Sequence, residues 1–340
     1  MATMSAGISR RLLFSTALVS LPLSAGSLGL AQEAVYLERI QPAQDIRLYY
    51  GDPDPADDQI SSVLTDKALI GGMSADGSSF VGSVFRSHAE SLYSGFVWTA
   101  GGGVQPVGDR DSNAPLEGRE YYTATGMSAD GRVIVGKGGA GVIGGADYTV
   151  HAYRWDASGG FTPLGALDDS PISEATAVSG DGAIVVGNSN FGTGASAGVA
   201  AVRWTQDGQI QGLGWLEGRD SAESNDTATA ASFDGSVIVG SALSSTNRFQ
   251  AFRWTEQTGM LALPTLSASS ASSNTASATG ISWDGSVIVG HSREGYNQTQ
   301  AVRWVGGEIF SLGGLDGASG TLSLAQAISG NGQVIIGDIG

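Results

Sequence analysis

The sequence predicts an all-β fold, a β-propeller of about six four-stranded blades, and three observations lead to it. A turn signal of the form Ser-x-Asp-Gly recurs at Ser74–Gly77, Ser128–Gly131, Ser179–Gly182, Ser232–Gly235 and Ser282–Gly285, and once more as Ser-Gly-Asn-Gly at Ser329–Gly332. Its acidic or amide positions, Asp76, Asp130, Asp181, Asp234, Asp284 and Asn331, are 54, 51, 53, 50 and 47 residues apart. A second signal, small-x-Arg-Trp, keeps the same step at Ala152–Trp155, Ala201–Trp204, Ala251–Trp254 and Ala301–Trp304, with a degenerate first copy at Gly95–Trp98. A Leu-Gly pair follows about ten residues later, as at Leu164-Gly165, Leu213-Gly214 and Leu312-Gly313. A fixed period near fifty residues with several short strands per period is the signature of a blade.

Taken in chain order, the first element is an address. Arg10 and Arg11 precede the short apolar run Leu12–Leu23, and small residues lead to Gly29-Leu30-Ala31. This is the plan of a secretory signal peptide, too short for a spanning helix, with cleavage expected after Ala31. Ser9–Phe14 also resembles a twin-arginine export signal, so the export route stays open between that and the general one. The mature chain, 32–340, then reads as a single propeller domain. Val35–Ile40 and Ile46–Gly51 have strand character.

Within each unit, strand A precedes the Asp-Gly turn and strand B follows it, as in Val133–Gly136 or Val287–Gly290. Glycine tolerates the positive φ that such a hairpin turn requires. Strand C is the Arg-Trp segment and strand D carries the Leu-Gly end. Trp98, Trp155, Trp204, Trp254 and Trp304 are expected to pack between blades, where the small residues three positions earlier let sheets approach. The last unit reaches only strand B, so its missing pair is expected from residues 35–51 at the other end of the chain. Such closure would leave a composite blade and remove exposed edges.

Composition excludes several functions. With 33 acids against 17 bases, a net charge of −16 and only Lys67 and Lys137 as lysines, the chain is a poor partner for nucleic acid or an anionic membrane. No cysteine means no disulfide, no thiolate metal site and no cysteine nucleophile. No later stretch is long and apolar enough to be a transmembrane segment. The 52 glycines follow no collagen period.

The repeat resembles the HAF family of bacterial extracellular repeat proteins. His151–Trp155 is similar to the name-giving segment, with Tyr153 for phenylalanine, and Ser311–Leu315 followed by Ala327-Ile328-Ser329 is similar to its second part. The resemblance covers about residues 66–340 and implies an exported protein, passenger-like as in autotransporters, with no catalytic residue.

The repeated charges, Asp130, Asp181, Asp234 and Asp284 with Arg154, Arg203, Arg253 and Arg303, read as scaffold, an Arg–Asp tie between strand C and the A–B hairpin. Non-repeated carboxylates are the candidates for a ligand. Asp52, Asp54, Asp57 and Asp58 alternate in an acidic loop that could offer oxygens to calcium, though the loop lacks an EF-hand's glycine and distal glutamate. Asp168, Asp169, Asp220 and Asp226 belong to the D-to-A connections and would gather on one face of the disc. His88, His151 and His291 are isolated, and no nucleophile elbow, phosphate loop or histidine pair is present. These features lead to the expectation of an exported, monomeric surface or extracellular binding module with an unknown protein or glycan ligand, not an enzyme. The alternative is a carbohydrate-active propeller enzyme, glycosidase or lyase, using paired non-repeat carboxylates. A passenger with no specific ligand is a third reading.

Overall fold

The computed structural model describes residues 68–87, 92–107, 121–140, 149–192, 197–219, 224–266, 274–294, 298–313 and 322–339, all within one compact unit, Ala43–Gly340. Five four-stranded antiparallel sheets follow one another along the chain. The first is β1 (Ala68–Met73), β2 (Ser79–Ser87), β3 (Leu92–Thr99) and β4 (Gly103–Pro106), and the second is β5 (Tyr121–Met127), β6 (Val133–Ala140), β7 (Thr149–Asp156) and β8 (Gly160–Pro163). The third holds β9 (Ser173–Val178), β10 (Val185–Phe191), β11 (Gly198–Trp204) and β12 (Ile210–Gly212). The fourth holds β13 (Thr227–Ala231), β14 (Ile238–Leu243), β15 (Phe249–Thr255) and β16 (Gly259–Ala262). The fifth is β17 (Thr275–Ile281), β18 (Val287–Glu294), β19 (Gln298–Val305) and β20 (Glu308–Ser311). The sixth has two strands, β21 (Ser323–Ile328) and β22 (Ile335–Ile339). Each sheet runs in simple sequence order, as a meander does.

The hairpin between the first two strands shows why Ser-x-Asp-Gly recurs. Gly77 N–H donates to the Ser74 carbonyl, closing a four-residue turn, and Gly77 takes φ of +69°. Asp76 Oδ1 accepts from Ser74 Oγ at 2.8 Å and from Ser78 N–H at 2.9 Å, so the carboxylate is satisfied inside its own turn. Asp130, Asp181, Asp234 and Asp284 repeat the arrangement. Asn331 does the same with its amide oxygen, accepting from Ser329 Oγ at 2.7 Å and Gln333 N–H at 3.1 Å. The turn therefore needs an oxygen acceptor and not a charge.

The sheets are set around a common line with their first strands innermost. The first strand of each sheet lies against the first strand of the next, from β1 to β21. Their turn tips are joined in series by backbone bonds: Ala75 N–H to Ala129 O, Ala129 N–H to Gly180 O, Asp181 N–H to Phe233 O, Phe233 N–H to Trp283 O, and Trp283 N–H to Gly330 O, all 2.7–2.9 Å. Such a succession is propeller-like.

Between sheets the core is repeated too. Trp204 packs with Val135, Ala152 and Leu164 of the second sheet's repeat unit, and its indole N–H donates to Gly165 O at 2.9 Å. Trp254 sits among Val186, Ala201 and Leu213, and Trp304 among Val239, Ala251 and Leu263 with a bond to Pro264 O at 2.8 Å. Trp155 packs against the cluster that holds Val81, and Trp98 stacks on Phe80 within its own sheet. The small residues do let neighbours close in, since Ala152, Ala201, Ala251 and Ala301 are all buried.

Each first strand carries one bulge, and in four of the sheets the bulged residue is a threonine. The hydroxyls of Thr125, Thr176, Thr229 and Thr279 lie 2.6–2.8 Å from the carbonyls of Ala175, Ala228, Ala278 and Ala325 in the following sheet. A bulge re-aims one side chain out of the pleat, here toward the next sheet's edge.

Candidate functional site

At Arg154 and Arg203 the expected Arg–Asp tie is not the one found. Arg154 donates to the Gly182 carbonyl in the next sheet's turn, and its Nε lies 4.0 Å from Asp156 of its own strand. Arg203 reaches Glu256 of the next sheet and stacks over Trp254 at 4.6 Å, while Arg303 lies over the Phe310 ring at 5.6 Å. The turn aspartates need no arginine because their turns already satisfy them. These hydrogen bonds hold Asp76 and Asp284 down at about 2 and lower Asp130 and Asp234.

Of the non-repeated acids, Asp52, Asp54, Asp57, Asp58 and Asp220 lie outside the described residues. Asp168 and Asp169 sit in a short 3-10 turn, Leu167–Asp169, both with positive φ (50° and 54°). Asp168 Oδ2 accepts from Gly192 N–H at 3.2 Å, and both residues are exposed. Asp226 is quite different. It is fully buried at the seam between the third and fourth sheets, where its N–H donates to Val199 O and its Oδ1 accepts from Leu243 N–H at 2.8 Å. Its Oδ2 is buried without a partner. Burial pushes its pKa up to about 6 against the opposing pull of the Arg219 charge. Asp226 is therefore a seam residue rather than an exposed ligand, whereas Asp168 and Asp169 stand in an exposed turn. Among the described residues, no group of three His, Asp or Glu side chains could hold a metal ion.

What the structure does bring together is a belt on the two innermost strands. The residue after the repeated B-strand glycine is Ser83, Lys137, Asn188, Ser241, His291 or Asp338, so chemistry varies where the scaffold does not. Register pairs Lys137 with Thr123, Asn188 with Glu174, Ser241 with Thr227 and His291 with Ser277, each on the inner strand of its own sheet. Contacts then step to the next sheet: Lys137 Nζ to Glu174 Oε1 at 2.8 Å, and Asn188 Nδ2 to Thr227 Oγ1 at 3.2 Å. Both members of the ion pair are half-buried. His291 Nδ1 is buried without a hydrogen-bond partner, and burial lowers the ring's pKa, which favours the neutral imidazole. In the sixth sheet Gln326 donates to Asp338 Oδ2 at 2.9 Å. Sequence reasoning passed over this belt. Its signal was the unlike residue following each repeated apolar-x-Gly, and Lys137 is one of only two lysines.

No family model matches the sequence, and no curated protein does either. Solved structures do resemble it. A TolB protein of Agrobacterium tumefaciens is 15% identical, with a TM-score of 0.49 over 75% of this chain and 84% of that one. Prolyl oligopeptidase B of Galerina marginata is 10% identical, with a TM-score of 0.51 over 78% of this chain. This chain spans 37% of that peptidase's length. The second likeness supports the propeller-like fold, and identity this low carries the fold alone.

The comparison also corrects the expected function. Neither the expected surface or extracellular binding module nor its carbohydrate-active alternative has a counterpart in the prolyl oligopeptidase this chain resembles, and both expectations are set aside. Among the described residues no helix is long and apolar enough to cross a membrane.

Proposed function

We propose that this chain is a non-catalytic propeller of the TolB or peptidase type, receiving a polypeptide segment along its inner belt. The observation that carries the reading is the asymmetric polar row, Lys137–Glu174 and Asn188–Thr227 continuing to His291, on an otherwise repeated wall. Repeats copy structure, so unlike residues at one repeat position mark the place where selection acted on something other than folding. Half-buried donors and acceptors on strand faces suit the amides of an extended peptide. The prolyl oligopeptidase B structure carries a 25mer macrocyclization substrate, which supports a peptide over other ligands. The test is fluorescence anisotropy of a labelled, unstructured 25-residue peptide against the purified chain. Binding should weaken at least tenfold in Lys137→Ala and in His291→Ala, with melting unchanged by more than a few degrees. Equal affinity in both variants would overturn the assignment.

The same proposal includes a six-bladed ring whose last blade is composite, with residues 35–51 supplying its outer strands. Three exposed side chains support it. Ile70 is 62% exposed, whereas Ala124, Ala175, Ala228, Ala278 and Ala325 at the same repeat position are buried. Met73 and Leu312 are likewise exposed where Met127 and the leucines Leu164, Leu213 and Leu263 are buried. The mature chain, beginning at Gln32 after a cleaved signal peptide, is then a monomeric, exported propeller and a member of the HAF repeat family.

A further inference from the structure

Two large aromatic side chains stand exposed where the first-strand turns meet, at the mouth of the inner wall opposite the long connections. Phe233 and Trp283 occupy the second position of the fourth and fifth Ser-x-Asp-Gly turns, where the other turns carry Ala75, Ala129, Gly180 and Gly330. They are 41% and 42% exposed, and their rings meet edge-on with centroids 5.5 Å apart. Neither is loose. Phe233 lies on Gly180 and Trp283 on Gly330, where a methyl group on either glycine would collide with the ring. The backbone of both is tied into the chain of turn-to-turn hydrogen bonds. An apolar pair of this size, held rigid and left in solvent, is a contact surface.

Charge says what it contacts. Asp234 and Asp284 follow the two aromatics directly, and their turn hydrogen bonds keep both ionised. Each uses Oδ1 to accept from its turn serine and from the backbone N–H two residues on. The residues after these turns are Ser236 and Ser286, where the second sheet has Arg132 beside Asp130, so no cation on either turn offsets the two charges. An aromatic face next to a fixed carboxylate suits a guanidinium or ammonium group.

We infer that the Phe233–Trp283 pair, with Asp234 and Asp284, is a docking site for a lysine- or arginine-bearing segment of a partner polypeptide. The site stands on these four residues alone and does not rest on the inner belt.

The sixth turn supplies a control built into the protein. Asn331 makes the same turn bonds as the aspartates, so Asp234→Asn with Asp284→Asn removes charge and keeps the turns. The probe is a labelled peptide, acetyl-Gly-Arg-Gly-Arg-Gly-amide, with its citrulline analogue as the uncharged twin, followed by anisotropy. The arginine peptide should bind, and the citrulline peptide should bind at least fivefold more weakly. Trp283→Ala should weaken the arginine peptide about two- to fivefold, as loss of an exposed cation–π contact does. The double asparagine variant should weaken it several-fold with an unchanged melting temperature. Equal binding of the two peptides, or full affinity in both the Trp283 and the asparagine variants, would overturn the inference. So would absence of binding at millimolar peptide. A loss in Lys137→Ala alone would place the peptide at the belt and not at the mouth.

Discussion

The seams between the middle sheets and the open surfaces of the first and fifth sheets are made from the same repeat positions, yet they look nothing alike. At a middle seam an alanine of the inner strand is buried, a leucine past strand D is covered by the next sheet's tryptophan, and a threonine hydroxyl crosses to the next strand. Elsewhere, Ile70 and Met73 on the first sheet and Leu312, 39% exposed, after the fifth sheet's last strand stand in solvent. The lesson is that a blade here is stable through its neighbours rather than by itself. A four-stranded sheet of this size buries one side chain per seam position only when the adjacent blade supplies the other half of the contact. The largest test breaks the comparison at its open side. If residues 35–51 complete the sixth blade, deleting 32–51 removes the cover from three large side chains at once. At about 1.5–3 kcal/mol for each, the loss is roughly 5 kcal/mol or more. Urea unfolding of the two purified chains would show it as a lower midpoint, with a smaller m if less surface is buried. Unchanged stability would mean that some other element covers the sixth sheet.

The next effect comes from within a middle seam. Trp204 is fully buried among side chains of two sheets and donates its indole N–H to Gly165 O. Trp204→Ala should cost about 3–5 kcal/mol through the cavity and the orphaned carbonyl. Trp98 stacks on Phe80 of its own sheet and is only half-buried, so Trp98→Ala should cost clearly less. Equal losses would mean that the indoles do not act as seam residues.

Asp226 sharpens the comparison by pH. Its carboxyl titrates at about 6 in the folded chain against an ordinary 3.8, so the folded state holds the proton more tightly than the unfolded state. The stability this contributes is complete below about pH 4 and is lost as pH rises through 6, a total of about 3 kcal/mol. Asp226→Asn should remove that slope: equal to the natural chain at pH 4, more stable at pH 7.5. Denaturant midpoints at the two pH values measure it, and parallel pH profiles for the two chains would refute the seam assignment.

How much of this was legible in the sequence follows from what a repeat preserves. The turns were readable because the Ser, Asp and Gly of each copy do separate local jobs within five residues, and even Asn331 keeps the oxygen that matters. The period of the tryptophans was readable, and Trp204, Trp254 and Trp304 pack with side chains of the preceding sheet while Trp98 stacks within its own. The arginines were readable as scaffold but not in their partners, because Arg154 and Arg203 reach into the next sheet, and a distance across a seam has no fixed sequence separation. The inner belt was missed for the opposite reason. Lys137, Asn188 and His291 break the repeat, and only the fold shows that their unlike side chains share one level on the wall. Acidity in the connections drew attention instead, although Asp168 and Asp169 are exposed turn residues and Asp226 is buried in a seam.

The smallest effect tests the bulge threonines. Thr176 Oγ1 lies 2.6 Å from Ala228 O in the next sheet and 3.1 Å from Val186 O in its own, and a hydroxyl has one proton to give. The shorter contact goes across the seam, as it does at Thr125, Thr229 and Thr279. Thr176→Val keeps the β-branched shape and the strand preference while removing the donor, so it should cost about 1 kcal/mol. Thr176→Ser restores the hydroxyl without the methyl and should recover most of that loss. If the cost instead followed the methyl, with Ser behaving worse than Val, the column would be packing and not stitching. The first sheet has Gly71 at this position and so lacks the hydroxyl altogether. Gly71→Thr cannot supply it, because a side chain there would collide with Ala124 O and the Thr125 backbone. The seam after the first sheet is therefore closed at this level by backbone proximity and by Ser83, whose Oγ accepts from Ala124 N–H at 3.0 Å, and the following four by a threonine hydroxyl.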